Sequence, residues 1–239
     1  MHALLRDFRP RFWPSVIAGC GVALLLALGT WQVFRLFEKR EINGLRAERL
    51  ATAEAQLPAA LPDPGQWEFR RVVARGRFDH ARELHMPCRS QRGNEGTCIL
   101  TALRRTDGPP VLVNRGWVPP ARKEPSQRPA AQTADEVALR AVLRVSAQRT
   151  SFMPDNDVQR NVWFSYDLPA MARALGIGEL APFYLEASVD PQAPEGAPVG
   201  GQTRFQLPDN HLGYAFTWFS LAIALAVIFV LSQRQERKP

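Results

Sequence analysis

Two long apolar runs stand near opposite ends of this 239-residue chain, and the stretch between them is broken into short pieces. No charged residue occurs from Phe12 to Phe34, and none from Leu212 to Ser232. At ~1.5 Å per helical residue each run exceeds the ~30 Å hydrocarbon core of a bilayer, which predicts two transmembrane helices. The first run outlasts the ~7–15 apolar residues of a secretory signal, and no small-x-small cleavage site follows it. Instead Leu28-Gly29-Thr30-Trp31-Gln32 puts a tryptophan at the expected interface, so this helix is predicted to remain in the mature protein. Strong helix formers continue from Arg35 to Ala55, with Asn43-Gly44 as a weak point and the prolines of Leu57–Gly65 as a stop.

Beyond that stop the pattern changes period. Phe69–Phe78, Glu83–Pro87, Ile99–Arg104, Val111–Trp117, Val137–Val145 and Phe183–Val189 read as strands bounded by Gly, Pro and Asn. Val137, Leu139, Ala141, Leu143 and Val145 alternate onto one face. Leu168–Leu175 reads as a short helix stopped by Gly176, Pro119–Glu136 as a mobile surface loop, and Asp190–Pro208 as a connector. The predicted fold class is an α+β membrane protein, two transmembrane helices flanking a mainly antiparallel-β periplasmic domain. The expected segments are a cytoplasmic tail (1–11), the first span (12–34), the periplasmic domain (35–210), the second span (211–232) and a second cytoplasmic tail (233–239).

Charge sets the expected orientation. Arg6, Arg9 and Arg11 precede the first span, and Arg234, Arg237 and Lys238 follow the second, which favours both termini inside. Arg35, Lys39 and Arg40 just after the first span pull the other way, so the second span carries the argument. The net charge of +7 would suit nucleic acid, but a two-span anchor and the lack of a nucleic-acid motif point to anionic headgroups or an acidic partner. Of three cysteines, Cys20 lies within the first span. Cys88 and Cys98 flank a predicted hairpin loop, where an oxidising compartment would allow a disulfide and spacing alone leaves two separate thiols equally open.

Enzyme chemistry finds no footing in the sequence. His80 and His85 are expected on opposite faces of a strand, and no nucleophile signature or phosphate-cradling glycine loop occurs. The edges of the spans are more informative. Asp209 or Asn210 is placed to cap the second helix, which sets His211 in its first turn, where the positive end of the helix dipole favours the neutral, metal-competent imidazole. His211, Ala215, Trp218, Ala222 and Ala226 share one face, and Gly19, Ala23 and Ala27 line up with Trp31 and Arg35 on the first helix. If these faces meet, they make an aromatic slot with a cation at its rim, suited to a flat apolar ring with anionic side groups; an ordinary aromatic belt with an interfacial histidine fits the same residues.

Four blocks of this chain resemble the surfeit-locus family of cytochrome c oxidase assembly factors. They are Leu28-Gly29-Thr30-Trp31-Gln32-Val33-Phe34-Arg35-Leu36; Val111-Leu112-Val113-Asn114-Arg115-Gly116-Trp117-Val118-Pro119; Pro182-Phe183-Tyr184-Leu185-Glu186; and Gly200-Gly201-Gln202-Thr203-Arg204 continuing into Asn210-His211-Leu212 and Tyr214-Ala215-Phe216-Thr217-Trp218-Phe219. The resemblance implies maturation of the haem a site of a haem–copper oxidase, without turnover. It implies a bacterial inner-membrane protein that binds haem a transiently with His211 as iron ligand. Trp31, Arg35, Tyr214, Trp218 and Arg204 are expected around the haem. The implied partners are an oxidase core subunit, a haem a synthase and the bilayer, with no nucleic acid. A scaffold that docks on nascent oxidase subunits without holding haem is the alternative. Three positions depart from the family pattern: Glu38 where Trp is common, Asp209 where Asn is common, and Gly213 where Gln is common.

Overall fold

The structure, a computed structural model, describes residues 10–147, 149–203, 205–207 and 209–233. It divides into two units, one of Met1–Leu45 with Gln206–Pro239 and one of Arg46–Phe205.

The second unit is built on six strands: β1 (Ala55–Gln56), β2 (Arg71–Arg89), β3 (Glu95–Arg105), β4 (Val111–Val118), β5 (Val137–Arg144) and β6 (Tyr184–Ala187). Their order is β1-β2-β3-β4-β6-β5, and β2 also pairs with β5, so β2 to β6 close into a ring. Four pairings are antiparallel, while β1–β2 and β4–β6 are parallel. The sheet is therefore mixed, its parallel pairs bringing together segments far apart in the chain.

Alternation explains which side faces in. On β2, Val72 and Ala74 are buried while Arg71, Arg75 and Arg77 are exposed. Val72 and Ala74 join Leu103, Val111, Val113, Ala141, Leu143 and Leu185 in one core. A second core forms on the opposite face, where α2 (Leu168–Leu175) lays Leu168, Met171 and Leu175 over Leu100, Leu112 and the fully buried Trp163. The Asp167 side chain caps α2 by accepting the Ala170 N–H, and Gly176 ends it with φ 66°, a left-handed conformation that costs glycine little.

Three expectations need correction here. Phe69 lies in a turn with φ 67°, and the rest of that segment from Arg71 to Phe78 joins Glu83–Pro87 in one strand, interrupted by a register shift between Phe78 and Glu83. The extra residues Asp79–Arg82 bulge out of the ladder and break the odd–even rule, so His80 turns back toward Glu83 on the side that His85 shares. The Pro119–Glu136 segment is not a mobile loop. It folds into three 3-10 turns, Pro120–Arg122, Pro125–Gln127 and Pro129–Ala131, and Arg128 within it is 1% exposed. The Cys88–Cys98 question, open in the sequence, resolves as a disulfide across the β2–β3 hairpin.

The first unit pairs α1 (Phe12–Ala51) with α3 (His211–Ser232). Both helices are long and apolar enough to cross a membrane, and many of their large side chains are exposed, among them Phe12, Ile17, Phe216 and Ile223. Helix α1 runs unbroken through Asn43-Gly44 because the Asn43 side chain makes a reciprocal pair of hydrogen bonds with the Leu207 backbone, at 3.0 and 2.8 Å.

Candidate functional site

The expected face of α3 is the packed one. Ala215 and Ala222 are buried, with His211 and Trp218 half-buried beside them. On α1 the packed face differs from the expected one. Gly19, Ala23 and Ala27 are exposed, and the seam runs through Ala18, Gly29, Gln32 and Leu36 instead. A Cβ on Gly29 would lie 2.7 Å from the Phe219 ring, so glycine is what lets the helices touch there. The face that meets α3 is thus turned by one residue, about 100° from Trp31 to Gln32. Among the described residues, no aromatic slot closes between the two helices at Trp31.

At the outer end of this seam His211 opens α3, and its Nδ1 lies 2.7 Å from Oε1 of Gln32. An amide oxygen only accepts, so Nδ1 carries a proton and Nε2 is the ring nitrogen left to act as a ligand. Among the described residues nothing bonds that Nε2. An imidazole tied through one nitrogen and open at the other is the donor arrangement that metal-ligating histidines show, and it suits the iron of a haem. Neither expected cap reaches the helix with its side chain. Asn210 occupies the N-cap position without a side-chain bond, and Asp209 lies 3.5 Å from Arg40 instead.

The other expected residues are dispersed around this point. Trp31 is exposed on the flank of α1, with the Arg35 guanidinium 5.8 Å from its ring centroid. Arg35 is also held by Glu38 at 2.6 Å, so the residue that replaces a common tryptophan supplies a counter-charge to the expected propionate partner. Tyr214 is exposed, and Arg204 lies outside the described residues. Sequence reasoning passed over Gln32 except as part of a block. A polar side chain inside an apolar helix, at the level where a second helix begins with histidine, was the available signal.

Reasoning from the sequence also missed a polar cluster in the strand-built unit. Glu83 is buried and takes a 2.6 Å ion pair from Arg128, with Arg115 at 3.5 Å. Burial would push the Glu83 pKa up, but His80, Arg128 and Arg115 overcome this and hold it below the usual carboxylate range. His80 is occupied on both nitrogens, near the Thr133 carbonyl and Arg115. His85 Nε2, Thr101 Oγ1 and Arg128 Nη1 are buried with no partner among the described residues. Burial raises the neutral form of Arg115 enough to bring its pKa down to about 10. These groups hold the Pro119–Glu136 segment against the strands.

Comparison with known proteins agrees with the four blocks. The SURF1 family model matches residues 20–223. A SURF1-like protein of Drosophila melanogaster is 39% identical over 224 residues, covering 87% of this chain and 73% of that protein. Surfeit locus protein 1 of Takifugu rubripes is 37% identical over 228 residues, covering 87% of this chain and 91% of the relative. The Homo sapiens protein of the same name is 35% identical over 218 residues, covering 84% and 71%. With the match running through both apolar helices and all six strands, the chain belongs to the SURF1 family.

Proposed function

We propose that this chain is an assembly factor for a haem–copper terminal oxidase, which holds haem a through His211 and assists its insertion into the oxidase core subunit. Membership of the SURF1 family supports the assembly role. The single observation that supports haem binding is the His211–Gln32 contact, which leaves one imidazole nitrogen open at the end of α3. In this reading haem a is cargo, received from its synthase and passed on, and its iron supplies the bond that makes the cargo selective for a histidine. Trp218 and Tyr214 offer aromatic surface to the ring. Arg35 and Arg204 offer charge to the propionates, Arg35 by exchanging Glu38 for a propionate. Both apolar helices sit in the bacterial inner membrane, with the strand-built unit in the periplasm and the termini in the cytoplasm.

The test is a spectrum. The full chain, expressed beside haem a synthesis and purified in detergent, should carry a low-spin haem a band. His211→Ala removes little apolar burial, so it should still insert and fold, yet lose that band and lower assembled oxidase activity. His80→Ala should keep the band. A wild-type protein without haem a, or a His211→Ala protein with an unchanged spectrum, would overturn haem binding and leave the scaffold role.

A further inference from the structure

We infer that Gln32 is the positioning residue of this site: its side-chain oxygen holds the His211 imidazole as the Nδ1–H tautomer and leaves Nε2 as the one ring nitrogen able to take iron. The inference rests on the reading of His211 as the haem ligand and adds what makes that histidine competent.

The argument starts from the 2.7 Å separation between His211 Nδ1 and Gln32 Oε1. Two acceptor lone pairs cannot face each other at that distance, so one partner must bring a proton, and the oxygen cannot. In the neutral ring a proton on Nδ1 leaves Nε2 its lone pair. Turned over, the same amide would donate to Nδ1, drive the ring proton onto Nε2 and block it. The orientation of one amide group therefore decides whether His211 can bind a metal at all. Metal-ligating histidines are set in this way by an acceptor behind the ring, which also makes the imidazole more electron-rich.

The packing around Gln32 fixes the backbone from which it reaches. Gly29, one turn before it, takes the Phe219 ring, and Leu36, one turn after it, is buried. Ala215, one turn beyond His211 on α3, is 3% exposed. Asn43 ties α1 to Leu207 farther along. Both ends of the His211–Gln32 bond thus belong to helices that pack against each other beside it, Gly29 against the Phe219 ring. Water competes poorly for a half-buried contact of this kind, whereas an exposed glutamine such as Gln66 would exert no such control.

The test reads the tautomer without any haem. Full-length protein with ¹⁵N-labelled histidine, placed in lipid nanodiscs, should show His211 as the Nδ1–H form. Gln32→Leu, close in shape but unable to accept, should lose that preference, and Gln32→Glu should keep it. With haem a supplied, Gln32→Leu should weaken retention by about 10- to 100-fold. Gln32→Glu should restore retention and lower the reduction potential of the bound haem, a shift that a mere helix clamp would not cause. A wild-type His211 protonated on Nε2 would overturn the role of Gln32 whether or not the protein takes up haem. An Nδ1–H histidine in a protein that never takes up haem a would instead sink the ligand reading. Should Gln32→Leu fail to fold, the wild-type tautomer and the Gln32→Glu potential still decide: an unshifted potential overturns the inference.

Discussion

Two buried groups, Arg128 and His85, carry opposite lessons about single residues. Arg128 comes from a Pro/Ala-rich stretch that reads as solvated, and its partner Glu83 lies 45 residues away, a separation no local pattern reveals. Removing one member of a buried ion pair strands the other, so Arg128→Met should cost about 3–5 kcal/mol in chemical unfolding of the full chain. A change below about 1 kcal/mol would show that the Pro119–Glu136 segment does not depend on the pair. His85 has the reverse problem: its buried Nε2 has no partner among the described residues. Burial, with the Lys123 charge, pushes its pKa below the ordinary 6.5. The unfolded chain then takes up a proton there at a pH where the folded chain does not, so this part of the stability is complete above about 6.5 and is lost on acidification through the lowered folded value. Glu83, also lowered, adds a loss of the same sign below its ordinary 4.5. Glu186 is raised by burial, so its contribution is complete below 4.5 and is lost as the pH rises through its folded value. Comparing His85→Leu with wild type cancels both carboxylates. The variant should lose less stability than wild type between pH 7 and pH 5, measured by thermal unfolding, and parallel curves would remove His85 as the cause.

Among the elements, β4, β5 and α2 were legible because each is short, regularly patterned and bounded by turn residues. Strand β2 was not, because the polar run Asp79-His80-Ala81-Arg82 looks like a turn and is a bulge. Nor could the parallel pairing of β4 with β6 be read, since nothing in either segment specifies a neighbour so distant in sequence. The close of β4 explains its Arg-Gly-Trp signature. Asn114 Oδ1 accepts the Gly116 N–H, Gly116 takes φ 113°, and Trp117 exchanges hydrogen bonds of 3.0 and 2.8 Å with Val199. A Cβ at Gly116 would overlap the Val199 carbonyl. Gly116→Ala should therefore destabilise the protein by more than about 1 kcal/mol and loosen the segment near Val199, seen as faster amide exchange at Trp117 and Val199. Unchanged exchange would mean that the segment is held elsewhere. The hairpin disulfide closes only a short loop, so Cys88→Ser with Cys98→Ser should cost about 2–3 kcal/mol.

For the molecule as a whole, the apolar helices were the plainest feature of the sequence, and the face they use was the least plain. In a soluble helix the apolar stripe marks the buried side, but a helix in lipid is apolar all round and the stripe carries no phase. Small residues lie on more than one side of α1, and contacts such as those of Gly21, Gly29 and Gln32 separate the true seam from the row of Gly19, Ala23 and Ala27. Orientation across the bilayer is a separate matter, and two independent features bear on it. Basic residues flank the outer ends of both apolar runs, which favours those ends in the cytoplasm. The Cys88–Cys98 disulfide suits an oxidising compartment, in keeping with the proposed place of the strand-built unit on the other side. Helix α1, with 40 residues, is about 60 Å long, twice the hydrocarbon core, so it is long enough to cross a membrane and to carry Arg35 and its neighbours beyond it. The expected topology is in–out–in. An alkaline phosphatase fused after Leu61 should be active, because it folds only where disulfides form, and a fluorescent protein fused after Pro239 should glow in the cytoplasm. In parallel, membranes treated with a thiol-blocking reagent before denaturation should yield Cys88 and Cys98 unmodified. An inactive phosphatase at Leu61 together with blocked Cys88 and Cys98 would place the strand-built unit in the cytoplasm, where His211 would face the wrong compartment for an oxidase haem.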